Sequence, residues 1–581
     1  MQTVEMKERI GTSFGPSYAV LNLSKVGLRY FRFMIKSSPK SRSRLLKVFA
    51  DHPNIGWIFS ATGWFNLAVG VWAKDNAEIN DISTSIRSVL GKDDKIVYQS
   101  ELTSLYGFGD RLIGKDFSPM PIIDAVYSPI ELTPIELDYI KLLTLDSTQD
   151  SNELSEVLGI PSNEVDILTQ SLTEKGIIVG YQERINYTGI YYKVFIDTLS
   201  KKNSHAVDVL LEKLWTDPKC IYVERANGKY DLEFELILAR KGDLKPYLKD
   251  FGEYKTAILT ENLYTNLYPL NKTANLRAIQ EALVGQDGPV IDFRNSKLWY
   301  LNHHGADAYL SIYENRAYFE TMEKSELDLF DEVASYIRTG HDDIKYSVMD
   351  IGSGDGLKGR VFIERLGEKD VKGYYPIDIQ PIELAVALRT HQEGAYAKHP
   401  TLLDIENLPA RFPLTLLPSE EQVYVFFGGT YGNFKSAEIN QYLKPIVQPG
   451  IEMLISMPII TEGKTEEEII ASYTGTKFQD MTFGPLAQIG FKLEDFETST
   501  LQDDLHVYIA MEDQRLVSSY ILKEDVVVLG RTFDKGTTFK MTSSWKPTLD
   551  QVIDALAQDF DVKKTFHNKD MSISLVCAKT T

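Results

Sequence analysis

The feature that most constrains the fold is an apolar run that ends in a glycine-rich turn. The chain reads YSVMDIGSGDG over residues 346–356, and a helical stretch follows. A strand, a glycine turn and a helix in this order form the first βα unit of a doubly wound parallel sheet. Glycine lets the backbone approach a nucleotide, and the N-terminus of the helix offers free N–H groups. The segment therefore predicts a Rossmann-like α/β domain with a nucleoside at this turn.

Acidic residues follow the next two predicted strands. GYYPIDIQ places Asp378 about 20 residues beyond the turn, where a carboxylate accepts both ribose hydroxyls of a nucleoside. The alternative is a loop aspartate that caps the next helix. LLDI places Asp404 and Ile405 after the third strand, where a carboxylate can face an adenine amino group. The alternative for Asp404 is a solvated turn.

A fourth strand ends in a second glycine-rich turn. The segment VYVFFGGTYGNF runs from 423 to 434 and brings Asn433 to the edge of the predicted reaction pocket. An asparagine amide has both a donor and an acceptor for an amino-acid head group. The alternative is a turn residue in the left-handed conformation, which needs no further function.

These motifs carry a specific resemblance. DIGSGDGLKGR, YYPIDIQ and GGTYGNF resemble successive motifs of the histidine-specific methyltransferase family of ergothioneine biosynthesis, over about 290–581. The upstream segments 298–309 and 318–323 are similar to the entrance region of that family. The resemblance implies a Rossmann-like domain that binds S-adenosyl-L-methionine without a metal. It also implies an inserted substrate domain, built from segments near 298–325 and 460–545.

The resemblance also implies roles for particular residues. The positions that would contact the cofactor are Tyr300, Gly352, Gly354, Lys358, Asp378, Asp404 and Ile405. The positions that would hold the amine and carboxylate of an amino acid are Asn433, Tyr318 and Tyr473, the last in the predicted helix EEEIIASYTG. Both tyrosines would serve equally well as half-buried amphipathic aromatic residues.

The chain departs from the family at the substrate side chain. There the family contacts imidazole through a glutamate and, two residues on, a serine, whereas KMTSSWK has Thr542 and Ser544 at these positions. The missing charged hydrogen bond is worth about 1.5–3 kcal/mol. We therefore expect N-methylation of the amine of an amino acid or a related small metabolite other than histidine.

The first half of the chain contains one pattern twice. VGLRYFRFMI over 26–35 and TGIYYKVFID over 188–197 each begin a strand, helix, hairpin, helix and strand. The order βαββαβ predicts two ferredoxin-like modules, over 1–118 and 181–272. Within the second module, Asn227-Gly228 opens a turn between two apolar runs and predicts a hairpin with positive φ at both positions.

A helical block over 130–180 separates the two copies. Thr133 and Glu136 predict a capping box, a second helix ends at Gly159, and a third helix is followed by GIIVGY. The block resembles the winged helix-turn-helix of the Lrp/AsnC family, and the βαββαβ units resemble the ligand-binding domain of that family, over about 20–270. The two units could pair with each other or join two chains; we favour a homodimer.

In the Lrp/AsnC family the third helix contacts DNA. Here that helix carries three acidic residues and one lysine, and the whole chain has a net charge of −20. Because phosphate contacts require positive charge, we do not expect DNA binding. No apolar run approaches the ~20 residues of a membrane helix, and both cysteines lie in apolar strand-like segments. A reducing cytoplasm is the expected location.

Three other functions compete with this interpretation. One is a methyltransferase whose peptide or protein substrate docks on the N-terminal modules. A second is a ligand-sensing regulator with a nucleoside-binding domain. A third is a nicotinamide oxidoreductase, which requires G-x-G-x-x-G, whereas the residue three beyond Gly354 is Leu357.

Overall fold

A computed structural model shows the architecture of most of the chain. It describes residues 11–49, 54–109, 111, 119–123, 128–187, 189–198, 204–249, 253–265, 278–295, 297–300, 324–339, 345–406, 422–460, 465–471, 473, 476–499, 505–569 and 571–580. Its contacts divide the chain into two compact units, Met1–Pro269 and Leu270–Thr581. In the described residues, no helix is long and apolar enough to cross a membrane.

The first unit is built mainly from antiparallel strands. Its strands are β1 Gly11–Ser13, β2 Tyr18–Leu21, β3 Arg29–Lys36, β4 Ile55–Gly63, β5 Leu67–Ala73, β6 Lys95–Gly107, β7 Met120–Ile123, β8 Ile178–Gln182, β9 Ile185–Tyr187, β10 Ile190–Ile196, β11 Cys220–Asn227, β12 Leu232–Leu238 and β13 Lys255–Thr265. Its helices are α1 Pro39–Phe49, α2 Asn76–Val89, α3 Pro134–Leu145, α4 Ser151–Leu158, α5 Ser162–Glu174, α6 Ser204–Thr216 and α7 Leu244–Tyr247.

The two repeated copies pair with each other and close a barrel. The strand order is β11-β12-β10-β13-β4-β5-β3-β6, and β6 pairs back with β11. The first copy thus pairs with the second through β4–β13 and through β6–β11, both antiparallel. Closure into eight strands removes the sheet edges that either copy alone would leave open.

Successive side chains on each barrel strand point alternately to the barrel interior and to the outer helices. On β10, Val194 and Ile196 pack with Leu210 and Leu214 of α6. Phe195 instead joins an apolar cluster with residues of both copies, including Met34, Phe65, Ala68, Tyr230 and Ile237. Because side chains on a strand alternate between its two faces, each copy contributes one face to the shared interior.

The hairpin predicted at Asn227-Gly228 is confirmed, because β11 and β12 pair antiparallel, but the positive φ values predicted for these two residues are wrong. Strand β11 extends through Asn227, and β12 starts only at Leu232, so four residues form the turn. Neither Asn227 nor Gly228 has a positive φ. The physical reason is barrel closure, because Asn227 pairs with Glu101 of β6 and stays extended.

The helical block lies between the copies as three helices and a strand. The predicted capping box is confirmed, since Glu136 N–H donates to Thr133 Oγ1 and Thr133 N–H donates to the Glu136 carboxylate. Helix α4 ends at Gly159, which has a φ of 67°. Strand β8, which follows α5, pairs with β2 near the start of the chain.

The second unit contains a mainly parallel sheet and a smaller, mainly antiparallel one. Its strands are β14 Val290–Asp292, β15 Tyr346–Ile351, β16 Val371–Asp378, β17 Ala397–Lys398, β18 Thr401–Leu402, β19 Gln422–Phe426, β20 Glu452–Pro458, β21 Tyr508–Glu512, β22 Arg515–Ile521, β23 Val526–Val528, β24 Arg531–Phe533, β25 Thr538–Trp545, β26 Phe560–His567 and β27 Ile573–Thr580. Its helices are α8 Lys297–Tyr300, α9 Lys324–Leu327, α10 Phe330–Arg338, α11 Leu357–Leu366, α12 Pro381–Thr390, α13 Ser436–Leu443, α14 Glu466–Ala471, α15 Thr476–Ile489 and α16 Leu549–Ala557.

The order of the larger sheet is that of a doubly wound fold. The path is β17-β16-β15-β19-β20-β27-β26, with β18 also paired to β16, and the last two strands antiparallel. Every residue of β15 and β19 is buried, because separate apolar clusters cover the two faces of the sheet. The strand order reverses at β15, where α/β folds of this kind bind their ligands. The smaller sheet has the order β14-β25-β22-β21.

Candidate active site

The turn between β15 and α11 has a left-handed backbone at its three glycines. Gly352, Gly354 and Gly356 have φ values of 64°, 51° and 75°. A Cβ on Gly356 would lie 2.9 Å from atoms of Ala387 on the next helix. His391 hydrogen-bonds through Nε2 to the carbonyl of Gly356 at 2.9 Å. The turn is therefore packed tightly against α12, and its backbone N–H groups lie at the carboxyl end of the sheet.

Asp378 lies at the end of the neighbouring strand and contacts this turn. Gly354 N–H donates to its Oδ2 and Gln380 N–H donates to its Oδ1, each at 3.0 Å. Burial raises the pKa of Asp378 above its ordinary value, and these two backbone donors oppose that rise. The carboxylate is thus held in place by backbone groups, with lone pairs left for a ligand.

All seven predicted cofactor residues line one cavity. It encloses roughly 1070 Å³, including its opening to solvent. The predicted residues around it are Tyr300, Gly352, Gly354, Lys358, Asp378, Asp404 and Ile405. They come from three strand ends and from α8 and α11, far apart in sequence, and tertiary folding brings them together.

The Lys358 ammonium is paired with a carboxylate that the motifs did not indicate. Lys358 Nζ donates to Glu326 Oε2 at 2.8 Å. The other oxygen of Glu326 accepts from Gly428 N–H at 3.0 Å and from the Ser456 hydroxyl. Glu326 is buried and thereby joins the first and fourth strand ends of the sheet. Nothing in its local sequence marks it, because its partners lie 32 to 130 residues away.

Two further carboxylates face the cavity and were also missed. Glu383 is buried, and its Oε2 has no hydrogen-bond partner in the described part of the chain. Burial raises the pKa of Glu383 well above its usual range, and the nearby Asp378 adds to that rise. Burial raises the pKa of Asp350 to about 7, although Tyr374 donates to it at 2.8 Å. A cation bound in the cavity would favour the ionised forms of these carboxyl groups.

Asp350 gives the second unit a predictable pH dependence. Its pKa is about 7 in the folded chain and about 4 when unfolded, so the folded state holds the proton more tightly. That contribution to stability is fully present below about pH 4 and is lost as the pH rises through about 7. Asp350→Asn should therefore flatten the fall in unfolding free energy between pH 5 and pH 8, measured by urea denaturation. Asp331 is exposed, so Asp331→Asn should leave this pH dependence of the unfolding free energy unchanged. The same pH dependence in both variants would contradict its assignment to Asp350.

Asn433 lies at the end of the fourth strand and contacts the cavity wall. Its Nδ2 donates to Tyr300 Oη at 3.3 Å. Burial raises the pKa of Tyr300 to about 12, so the phenol stays protonated. The left-handed alternative for Asn433 is wrong, because Gly428 and Gly429 supply the positive φ of this turn, 82° and 75°. Its amide is therefore not needed by the turn itself.

Tyr473 belongs to a second polar group. It lies in a turn two residues beyond α14, so its predicted position within the helix is wrong: α14 ends at Ala471. Lys546 Nζ donates to Tyr473 Oη at 2.8 Å and to Ser544 Oγ at 2.9 Å. Only 6% of Lys546 is exposed. The motif KMTSSWK contained this lysine, and its place two residues beyond Ser544 was the signal that sequence reasoning passed over.

Thr542 is held inside the smaller sheet. Its hydroxyl hydrogen-bonds to Ser518 Oγ at 2.7 Å and accepts from Ser518 N–H at 3.2 Å. The side chain is thus satisfied between β22 and β25, while Ser544 contacts the Lys546 group. Tyr318 lies outside the described residues.

Arg515 connects the smaller sheet to the turn that carries Asn433. Its Nη2 donates to the carbonyls of Gly432 and Phe434, both at 2.9 Å, and its Nε donates to Ser543 Oγ at 2.6 Å. A Cβ on Gly432 would lie 3.4 Å from the carbonyl of Trp545. Strand β25, which carries Ser544, therefore packs directly on this turn.

The arrangement combines a glycine turn, an acidic residue after the second strand and an amide after the fourth. Residues 292–580 match the model of a family described as "Histidine-specific methyltransferase, SAM-dependent". This region is an S-adenosylmethionine-dependent methyltransferase. Its cofactor is S-adenosylmethionine. Within the described residues of the methyltransferase, no group of His, Cys, Asp or Glu could hold a metal ion.

Solved structures similar to the chain include other methyltransferases. An S-adenosylmethionine-dependent methyltransferase from Clostridium acetobutylicum is 12% identical, over 47% of this chain and 98% of its own, with a TM-score of 0.28. The 1,6-didemethyltoxoflavin-N1-methyltransferase of Burkholderia thailandensis is 11% identical, over 48% and 87%, with a TM-score of 0.25. The siroheme decarboxylase NirDL is 13% identical, over 44% and 77%, with a TM-score of 0.30. No curated protein matches the chain.

Proposed function

We propose that the methyltransferase transfers a methyl group to the amine of an amino acid or a related small metabolite other than histidine. The observation that best supports this is the position of Asn433. It follows the fourth strand and contacts Tyr300, which itself lines the cofactor cavity. An amide at this point can hold an amine beside the methyl donor.

The cavity residues fit S-adenosylmethionine. Asp378 would accept the ribose hydroxyls, Asp404 would accept the adenine amino group, and Ile405 would pack on the adenine ring. The backbone around Gly352 and Gly354 would face the amino-acid end of the cofactor. The Oε2 of Glu383, which has no hydrogen-bond partner among the described residues, suits a cofactor that carries both an ammonium and a sulfonium group.

The protein contributes position and proton control to the reaction. When bound, the cofactor supplies an electrophilic methyl group on a sulfonium. The nitrogen–carbon bond forms as the sulfur–carbon bond breaks, and the methylated ammonium afterwards releases a proton to water. The attacking amine must be neutral, and Asn433 with a tyrosine hydroxyl would orient its lone pair. Such orientation supplies up to about 7–11 kcal/mol of the barrier reduction.

The Lys546 group gives the substrate a binding site for its carboxylate. The Lys546 ammonium donates to two hydroxyls and lies 4.5 Å from the Tyr473 ring centroid, and such a cation can form a charge-assisted hydrogen bond with an anion. The position at which the family has a glutamate is Thr542 here, and its hydroxyl hydrogen-bonds to Ser518. We therefore propose a substrate that carries a carboxylate beside its amine.

The first test is mass spectrometry of a pool of free amino acids incubated with the full chain and S-adenosylmethionine. We expect a gain of one to three methyl groups on one species other than histidine. Asn433→Ala and Tyr473→Phe should each lower turnover of that species about 100-fold, because each removes a contact that orients the amine. Their affinity for S-adenosylhomocysteine, measured by calorimetry, should stay within about twofold.

Two results would contradict this proposal. Methylation of histidine would refute the interpretation of Thr542. Unchanged turnover in both variants would remove Asn433 and Tyr473 from the site. If no free amino acid changed, a peptide or protein substrate docked on the N-terminal modules would become the better hypothesis.

A Lys546 variant tests recognition of the substrate carboxylate separately from methyl transfer. Lys546→Met should raise KM for the identified amino acid about 10- to 100-fold, because one charge-assisted hydrogen bond is worth about 1.5–3 kcal/mol. Turnover of the matching amine that lacks the carboxylate should change less than threefold. Lys540→Met on the same strand is the control, because Lys540 pairs with Glu512 at the protein surface. Equal losses for acid and amine would assign Lys546 a structural role.

We further propose that the first unit consists of Lrp/AsnC-like modules around a winged helix. Both repeated copies have the element order strand, helix, strand, strand, helix, strand, and three helices followed by β8 lie between them. Helix α5 carries Glu164, Asp166 and Glu174, which argues against DNA as the partner. The sheet edges of the two copies pair within the chain, so a homodimer would have to use another surface.

A further inference from the structure

The first unit contains a cavity that the methyl-transfer reaction does not use. It occupies one end of the barrel interior and encloses roughly 1220 Å³, including its opening. Barrel strands form its walls, and residues of β2, β7 and β8 line its remaining side. The mouths of small barrels are common sites for single small ligands.

Aromatic rings dominate the wall of this cavity. The rings are Tyr18, Tyr30, Trp57, Phe59, Trp72, Tyr191 and Tyr222. Tyr30 and Trp72 stack with centroids 4.0 Å apart, while Phe59 meets Trp57 and Tyr191 edge to face at 5.5 Å and 6.0 Å.

Two strand glycines make room for the indole rings. A Cβ on Gly56 would overlap Trp72, and a Cβ on Gly70 would lie 2.5 Å from Trp57. The indoles therefore lie directly against the strand backbone, and the cavity is wider than side chains at these two positions would allow.

A buried ionic cluster forms the inner end of the cavity, where Glu224 and Glu235 line it. Lys193 Nζ lies 2.9 Å from Glu224, 3.8 Å from Glu233 and 2.6 Å from Glu235. Arg32 pairs with Glu224 and lies 2.7 Å from Glu233. The cluster thus combines three carboxylates with two cations.

The cluster has one more carboxylate than cations, and this excess negative charge is unfavourable in the buried interior. An uncompensated carboxylate is strongly disfavoured away from water. Burial raises the pKa of Glu233 to about 7, against the opposing effect of Arg32 and Lys193, while Tyr98 donates to its Oε1. A proton therefore compensates part of the excess charge at neutral pH, and a cationic ligand would do the same.

We propose that this cavity binds a small organic cation with an alkylated ammonium group. Its alkyl groups would face the rings of Tyr30, Trp57 and Trp72, and its charge would face Glu224 and Glu235. Aromatic faces attract such cations, and rings around a carboxylate discriminate them from neutral molecules of equal shape. An anion would meet an excess of negative charge instead. The inference is independent of the substrate proposed for the methyltransferase.

The test compares choline with its uncharged isostere, 3,3-dimethylbutan-1-ol, by calorimetry on the full chain. We expect choline to bind at least about tenfold more tightly, because only choline gains the cation–π and carboxylate attraction. Choline should also bind more tightly at pH 8 than at pH 6, since ionised Glu233 adds negative charge. Equal affinities of the two molecules, or no binding of choline at millimolar concentration, would overturn the proposal.

Variants test whether choline binds in this cavity. Trp57→Leu should weaken choline binding at least about tenfold, and Trp57→Phe, which keeps a ring, should weaken it less. Trp215→Leu is the matched control, because Trp215 is exposed and lies outside the cavity. Asn433→Ala should leave choline binding unchanged. If Asn433→Ala abolished binding while both Trp57 variants retained it, choline would occupy the methyltransferase and the proposal would be wrong.

Discussion

Replacing Asp378 with alanine should weaken binding of S-adenosylhomocysteine by about 100-fold or more. Two hydrogen bonds from ribose hydroxyls to the half-buried Asp378 carboxylate would each be worth about 1.5–3 kcal/mol, which together exceeds two orders of magnitude in affinity. Asp378 also accepts from Gly354 N–H at 3.0 Å, so its loss would release the glycine turn. Both effects act in the same direction.

Calorimetry on the full chain measures the affinity for S-adenosylhomocysteine. Two further variants show whether the loss is due to the Asp378 carboxylate. Asp378→Asn keeps one acceptor oxygen, so its affinity for S-adenosylhomocysteine should lie between those of the native chain and Asp378→Ala. Asp370→Ala is the matched control, because Asp370 lies just before the other end of the same strand, β16. It should change the affinity less than twofold. A loss below about fivefold for Asp378→Ala would place the ribose elsewhere.

Replacing Arg32 with methionine should lower the unfolding free energy of the first unit by about 3–5 kcal/mol. Arg32 is fully buried in the barrel and pairs with Glu224 and Glu233. Removing one partner of a buried ion pair leaves charge without compensation, which costs far more than the pair contributes in net stability. Lys193 alone would then face three carboxylates.

Urea denaturation followed by tryptophan fluorescence measures this change. Arg29→Met on the same strand is the control, because the Arg29–Glu101 pair is more than a quarter exposed on both sides. Exposed pairs contribute about 0–1 kcal/mol, so the control should shift the transition little. Equal shifts in the two variants would show that the buried cluster is not the main source of stability in the barrel.

Much of the cofactor cavity was predictable from local sequence. Each motif ends a parallel strand, and parallel strands bring their carboxyl ends to one edge of a sheet. The residues after β15, β16 and β18 therefore converge whatever the lengths of the segments between them. For the same reason the end of the fourth strand places Asn433 beside the cavity, where it contacts Tyr300.

Other members of the site had no local signal. Glu326 pairs with Lys358 across the fold, and Glu383 lies on a helix face like many surface glutamates. Lys546 was visible in its motif, but its contact with Tyr473 spans 73 residues. These side chains became recognisable only when packing buried them and left particular neighbours within reach.

The sequence by itself determined the glycine turns, the strand-end acids and the two repeated patterns, because each depends on backbone conformation and on periodicity within a few residues. Only the tertiary structure decided that the two copies close one barrel and that five charged side chains meet inside it. Pairing of β4 with β13 and of β6 with β11 joins segments about 100 to 200 residues apart. No local preference specifies such pairing, since it follows from burying the open edges of both sheets at once.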